Sequence, residues 1–200
     1  MSGISRLSAR TETGLLWVLL ALPGAFMTYR YVQGTTFYGE YLHATGELSA
    51  RLLILTLAVT PLRLMFPNAA WARWLARRRR YLGVAAFGYA LLHAAAYLQR
   101  QSFAVIVEDA GELALATGWV ALLVMLALAA TSNDISVRQL GRRWKWLHRT
   151  VYLAAVLTFA HWILTAFDPL PGAVHLAVLA ALEAIRVWKA AGLNREVRSS

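Results

Sequence analysis

Six blocks of predominantly apolar residues divide this chain, at roughly 14–33, 47–66, 81–99, 112–131, 148–167 and 171–190. Each is close to the length at which a helix crosses about 30 Å of hydrocarbon. Lipid offers backbone polar groups no partner, so such blocks satisfy their own hydrogen bonds as helices. The sequence therefore predicts an all-α integral membrane protein, a bundle of six transmembrane helices. Of its 200 residues 59% are hydrophobic, an excess over the roughly half expected of a soluble domain.

Loop charge gives the orientation. The 67–80 loop carries Arg73, Arg77, Arg78, Arg79 and Arg80, and the 132–147 loop carries Arg138, Arg142, Arg143 and Lys145. Lys189, Arg195 and Arg198 follow at the end of span six and beyond it. The other loops differ: 34–46 holds Glu40, 100–111 sets Arg100 against Glu108 and Asp109, and 168–170 holds Asp168. The excess of Lys and Arg on cytoplasmic loops then puts both termini inside. This divides the chain into a cytoplasmic N-terminus (1–13), a six-helix domain (14–190) and a cytoplasmic tail (191–200). Arg6 and Arg10 precede an apolar run from Leu15 to Tyr31 that has no small-residue cleavage site, so the first helix is expected to be retained. Pro23-Gly24 predicts a kink within it, and Pro61 and Pro67 punctuate the exit of span two.

Two function classes fall away. The net charge of +10 resides in the loops, as orientation requires, and does not indicate nucleic acid. The absence of cysteine removes disulfides, iron–sulfur clusters and thiolate metal sites.

The histidines carry the chemistry. His93 lies twelve residues beyond Tyr81, where span three leaves the basic side, or about 18 Å deep at 1.5 Å per residue. His161 lies thirteen residues beyond His148 on span five, about 20 Å deep. The two spans run the same way, so the two imidazoles should face each other at one level in the outer half of the bilayer. An ionisable residue at such depth is costly unless it is paired or faces a cavity. No other charged constellation is expected within the spans. Two neutral imidazoles on neighbouring helices can take both axial positions of a haem iron. Span three, "LGVAAFGYALLHAAAYL", has Gly83, Gly88 and several alanines that leave room beside its backbone, although small residues also serve plain helix packing.

The remaining histidines are less determined. His148 sits at the cytoplasmic edge beside Trp144, Trp146 and Arg149, and span three offers Arg79-Arg80-Tyr81 rather than a histidine at that level. Thirteen residues also turn it roughly 140° away from His161 on an ideal helix. A bulge or divergent rotamers would be needed for both to serve one seam, and a second haem at His148 stays open. His175, near the outer start of span six, is a reserve ligand, and His43 reads as interfacial.

Three stretches in order, "LTLAVTPLR", "RRYLGVAAFGYALLHAAAYL" and "GRRWKWLHRTVYLAAVLTFAHW", resemble the MsrQ (YedZ) family. These are haem-binding membrane subunits of bacterial methionine-sulfoxide reductase systems, within the ferric-reductase-like transmembrane superfamily. The resemblance spans essentially the whole chain. It implies haem b, in one or two copies, and an FMN. It also implies a quinone or a cytoplasmic flavin reductase as electron donor, and the periplasmic molybdopterin reductase MsrP as acceptor. The expected location is the bacterial inner membrane. The family's haem-linked histidines match His93, His148 and His161. The superfamily's fuller pattern has two histidines on each of two helices, and span three here lacks the second.

The chain has no GxGxxG, Walker loop or HExxH. Electrons must therefore come from another protein or a membrane quinone. The acidic 100–111 loop and Asp168 lie near the outer histidine level, where a periplasmic partner would dock. Arg77, Arg78, Arg142 and Arg143 are candidates for a haem propionate or an FMN phosphate. Trp119, Trp162 and Tyr97 are candidates to pack near the macrocycle. Rival readings are a cytochrome b anchor or ferric-reductase core for another redox partner, and a small proton-coupled transporter. The last is disfavoured by the lack of repeats and of broken helices.

Overall fold

A computed structural model describes residues 9–199, with side chains described from 10 to 191. The described residues are helical throughout: α1 (Ala9–Val32), α2 (Tyr38–Met65), α3 (Ala70–Arg100), α4 (Phe103–Asp109), α5 (Leu113–Ala130), α6 (Asp134–Leu140), α7 (Arg142–Arg149), α8 (Val151–Thr165) and α9 (Leu170–Ser199). Six segments are long and apolar enough to cross a membrane, α7 and α8 counting as one. The predicted spans are all present. Arg195 and Arg198, counted among the orienting charges, and Arg6, named with the retained first helix, lie outside the described side chains.

Several boundaries differ from expectation. Helices α2 and α3 start well before their apolar blocks, so Tyr38, Glu40 and the whole Arg73–Arg80 run are helical rather than loop. Pro61 lies inside α2, which continues to Met65 before stopping at Phe66-Pro67. The expected loops 100–111 and 132–147 contain α4 and α6, capped by Ser102 and Asn133, whose side chains accept from Val105 and Ser136 N–H. Turn chemistry sets the ends elsewhere. Gly34, at φ 70°, closes α1 with Thr35 N–H on the Arg30 carbonyl and Gly34 N–H on that of Tyr31.

The bundle is built from two helix pairs. Helix α2 packs most extensively on α3, and α5 on α8, while α9 covers α2. Small residues bring α2 and α3 together: Ala50 and Ala86 are fully buried, and Ser49 Oγ donates to the Ala86 carbonyl at 2.8 Å. Leu53, Leu57, Leu82, Tyr89, Phe159 and Trp162 complete the core. Little of α1 is buried, the pattern of a helix at the edge of the bundle. Between the two pairs the packing opens into a cleft.

Candidate functional site

The cleft is a cavity of about 660 Å³, walled by α2, α3, α5 and α8. His93 and His161 enter it from α3 and α8, their ring centroids 6.0 Å apart and their planes at 87°. The structure thus brings together the two imidazoles that helical rise put at one depth. Tyr97, Trp119 and Trp162 also line the cavity, with Tyr97 and Trp119 edge-to-face at 6.2 Å.

Both rings are held the same way. His93 Nδ1 lies 2.9 Å from the Leu42 carbonyl oxygen, and His161 Nδ1 lies 2.7 Å from that of Ala114. A carbonyl oxygen only accepts, so each Nδ1 carries the proton and donates it. In the neutral ring the lone pair then sits on Nε2, the tautomer a metal needs, and the Nδ1–H···O=C bond fixes the ring's orientation.

These residues fit an iron porphyrin. Taking the roughly 2.0–2.1 Å metal–imidazole bond of zinc sites as a guide, two axial imidazoles on one ion stand with centroids about 6.4 Å apart. The observed 6.0 Å is close to that. The wall is largely apolar, with Leu115, Leu122, Met125 and Ala94 among its residues, as a macrocycle held in a membrane requires.

The other candidates lie elsewhere. His148 does not line the cavity: its Nε2 is 3.1 Å from Thr131 Oγ1 and its ring stacks on Trp144 at 3.9 Å. The helix is broken between α7 and α8 at Thr150, whose N–H bonds the Leu147 carbonyl, so the ideal-helix angle between His148 and His161 does not apply. Both nitrogens of His175 are engaged, Nδ1 donating to the Pro171 carbonyl at 2.7 Å and Nε2 accepting from Arg51 Nε at 3.4 Å. His43 is exposed at the cavity rim, 3.9 Å from Glu47.

None of Arg77, Arg78, Arg142 and Arg143 lines the cavity. Arg78 is paired with Glu12 of α1 at 2.6 Å and lies over the Trp74 ring, while Arg77, Arg142 and Arg143 are exposed.

Some residues had escaped notice. The spans do contain a charged constellation: Glu183 and Arg186 of α9 are paired at 2.8 Å, Arg186 reaches the Tyr152 hydroxyl, and Arg79 bonds Thr60 Oγ1 at 3.3 Å within electrostatic reach of Glu183. That corrects the expectation that the histidines stand alone. A hydropathy window averages two charges away when eighteen neighbours are apolar. Glu47, which holds Arg51 at 2.6 Å, lines the cavity as well.

Residues 45–159 match the family described as ferric reductase like transmembrane component, a segment that includes His93 and His148 and stops just short of His161. Over 161 residues the chain is 44% identical to the protein-methionine-sulfoxide reductase heme-binding subunit MsrQ of Deinococcus radiodurans, covering 78% of each protein. It is 38% identical over 194 residues to the protein of that name from Ralstonia nicotianae, covering 90% of this chain and 87% of that one. A third, from Xanthomonas axonopodis pv. citri, is 39% identical over 155 residues, covering 75% and 69%. No solved structure matches the chain significantly.

Proposed function

Because the chain belongs to the ferric-reductase-like transmembrane family and, within it, to the MsrQ proteins, we propose that it is the haem-binding electron-transfer subunit of a methionine-sulfoxide reductase system. The observation that carries this reading is the His93–His161 pair, two imidazoles lining one largely apolar cavity with ring centroids 6.0 Å apart and each Nδ1 tied to a backbone carbonyl.

His93 and His161 would hold haem b from its two sides. When bound there, haem b supplies a one-electron couple, and two protein ligands leave no vacant position for oxygen. The chain's own part is to bind and orient. The Leu42 and Ala114 carbonyls keep both imidazoles in the ligating tautomer. Tyr97, Trp119 and Trp162 wall the cavity with flat apolar surface.

The basic ends of α3 and α7 are taken as cytoplasmic, both termini with them, in the bacterial inner membrane. The His93–His161 level then lies toward the periplasm, where MsrP is the proposed electron acceptor. The donor is a membrane quinone or a cytoplasmic flavin reductase. Exposed Arg77, Arg142 and Arg143 remain available to an FMN phosphate on the cytoplasmic side, whereas Arg78 would first have to leave Glu12. A second haem at His148 would require that imidazole to leave Thr131, with Arg79 and not histidine at the matching level of α3.

The test is anaerobic. The purified protein is reduced with a quinol, or with NADH and a flavin reductase, and its haem absorbance is followed when MsrP and a methionine-sulfoxide peptide are added. Rapid reoxidation that needs both additions supports the role. Reoxidation by ferric chelates but not by MsrP would move the chain to the ferric-reductase reading.

A further inference from the structure

Each haem-facing histidine lies against a glycine of the neighbouring helix, and in both cases at the same offset. The carbonyl that accepts His93 Nδ1–H belongs to Leu42, four residues before Gly46 on α2. The carbonyl that accepts His161 Nδ1–H belongs to Ala114, four residues before Gly118 on α5. A helical side chain leans toward the N-terminus and covers the turn before its own Cα. The side chain at position i+4 is therefore the one that would lie over carbonyl i.

The distances agree. A Cβ at Gly46 would stand 2.9 Å from His93 Nδ1 and 3.2 Å from its Cε1. At Gly118 it would stand 2.7 Å from His161 Nδ1 and 2.8 Å from its Cε1. Gly88, on the same α3 as His93, would meet nothing within 4 Å. Neither Gly46 nor Gly118 closes a turn. Each lies within a helix, where glycine is a poorer helix former than alanine by about 1 kcal/mol, and neither has a positive φ.

We infer that Gly46 and Gly118 are positioning residues for the two histidines: by leaving a carbonyl open on the helix surface, each lets an imidazole N–H share it, and so fixes the ring's tautomer and aim. This rests on the reading that His93 and His161 ligate haem. Alanine at either site forces the ring away from its carbonyl and removes the bond that orients Nε2. Losing such an outer-shell partner weakens metal affinity by roughly 10–100-fold. The closer contact makes Gly118 the more sensitive of the two.

The experiment compares Gly46→Ala and Gly118→Ala with Gly88→Ala, reading haem per folded protein, the ferric low-spin spectrum and the midpoint potential. We expect Gly88→Ala to match the wild type. Gly118→Ala should lose haem or the bis-imidazole signature, and Gly46→Ala should do so to a smaller extent. Retained haem with an unchanged spectrum and potential in both variants would overturn the inference.

A second arm separates positioning from folding and does not depend on haem. Melting temperatures of apoprotein are compared for Gly46→Ala made alone and in a His93→Ala background, and for Gly118→Ala alone and with His161→Ala. If each glycine acts through its histidine, most of the alanine penalty disappears once the imidazole is gone. An equal penalty in both backgrounds would make the glycines simple packing residues. A wild type unable to bind haem, with this coupling intact, would sink the haem reading and leave the glycine–histidine contact standing.

Discussion

The Tyr89 hydroxyl stands inside the backbone ladder of α1, accepting from the Gly24 N–H at 2.9 Å and donating to the Leu20 carbonyl at 2.7 Å. In an uninterrupted helix those two groups bond each other. Pro23 beside them contributes no N–H to the ladder, and the hydroxyl of α3 serves this neighbouring donor and acceptor. This link joins the Glu12–Arg78 pair and the Thr28–Tyr41 hydroxyl contact in tying α1 to the bundle. Tyr89→Phe should cost about 1–3 kcal/mol and raise hydrogen exchange around Pro23, with haem content unchanged. Unchanged exchange in α1 would count against it.

Near-perpendicular imidazoles have a spectroscopic consequence. At 87°, the His93 and His161 planes should give the ferric protein a single strongly anisotropic low-field electron paramagnetic resonance signal. A rhombic low-spin triplet would mean that the rings lie nearly parallel in the loaded protein.

The Glu183–Arg186 pair of α9 should behave as one unit. Both side chains are half-buried, so removing one partner strands the other, and Arg186→Met should cost about 1–3 kcal/mol. The double variant Glu183→Gln with Arg186→Met should be less destabilised than the two singles predict together. Additivity in a double-mutant cycle would remove the pairing from the account.

How much of this was legible beforehand follows from what a sequence encodes. Depth within a helix is linear in residue number, so the facing of His93 and His161 could be computed from topology and rise alone. The α7–α8 break at Thr150 could not, because a threonine in an apolar run carries no stop signal. The early starts of α2 and α3 were hidden because hydropathy marks the hydrocarbon rather than the helix, and Arg77–Arg80 continue α3 past its apolar block. Gly46 and Gly118 were silent for another reason. Their meaning lies in a neighbour on another helix: Gly46 fell in the expected 34–46 loop, and Gly118 was one small residue among many in an apolar span.

Asp134, in α6 outside the spans, pairs with Arg80 at 2.7 Å, and the guanidinium holds the Asp134 carboxyl below its ordinary 3.8. A depressed carboxylate contributes stability above 3.8, and that contribution fades as the pH falls through its lower folded value. The carboxyl is fully exposed, so the effect is small and screened by salt. The melting-temperature difference between wild type and Asp134→Asn should therefore be confined to higher pH and low salt. A gap independent of both would point to a cause other than charge.

The central claim is that one haem is held between His93 and His161. The most direct measurement is a pyridine-haemochrome determination with visible spectra on detergent-purified wild type, His93→Ala, His161→Ala and His148→Ala. The account predicts a low-spin b-type spectrum in the wild type, lost with His93→Ala and with His161→Ala. His148→Ala should keep that outer haem, and two haems per wild-type chain falling to one in this variant would assign His148 a second. A wild type that stays colourless when haem is supplied, or a His93→Ala/His161→Ala double variant with its haem intact, would contradict it.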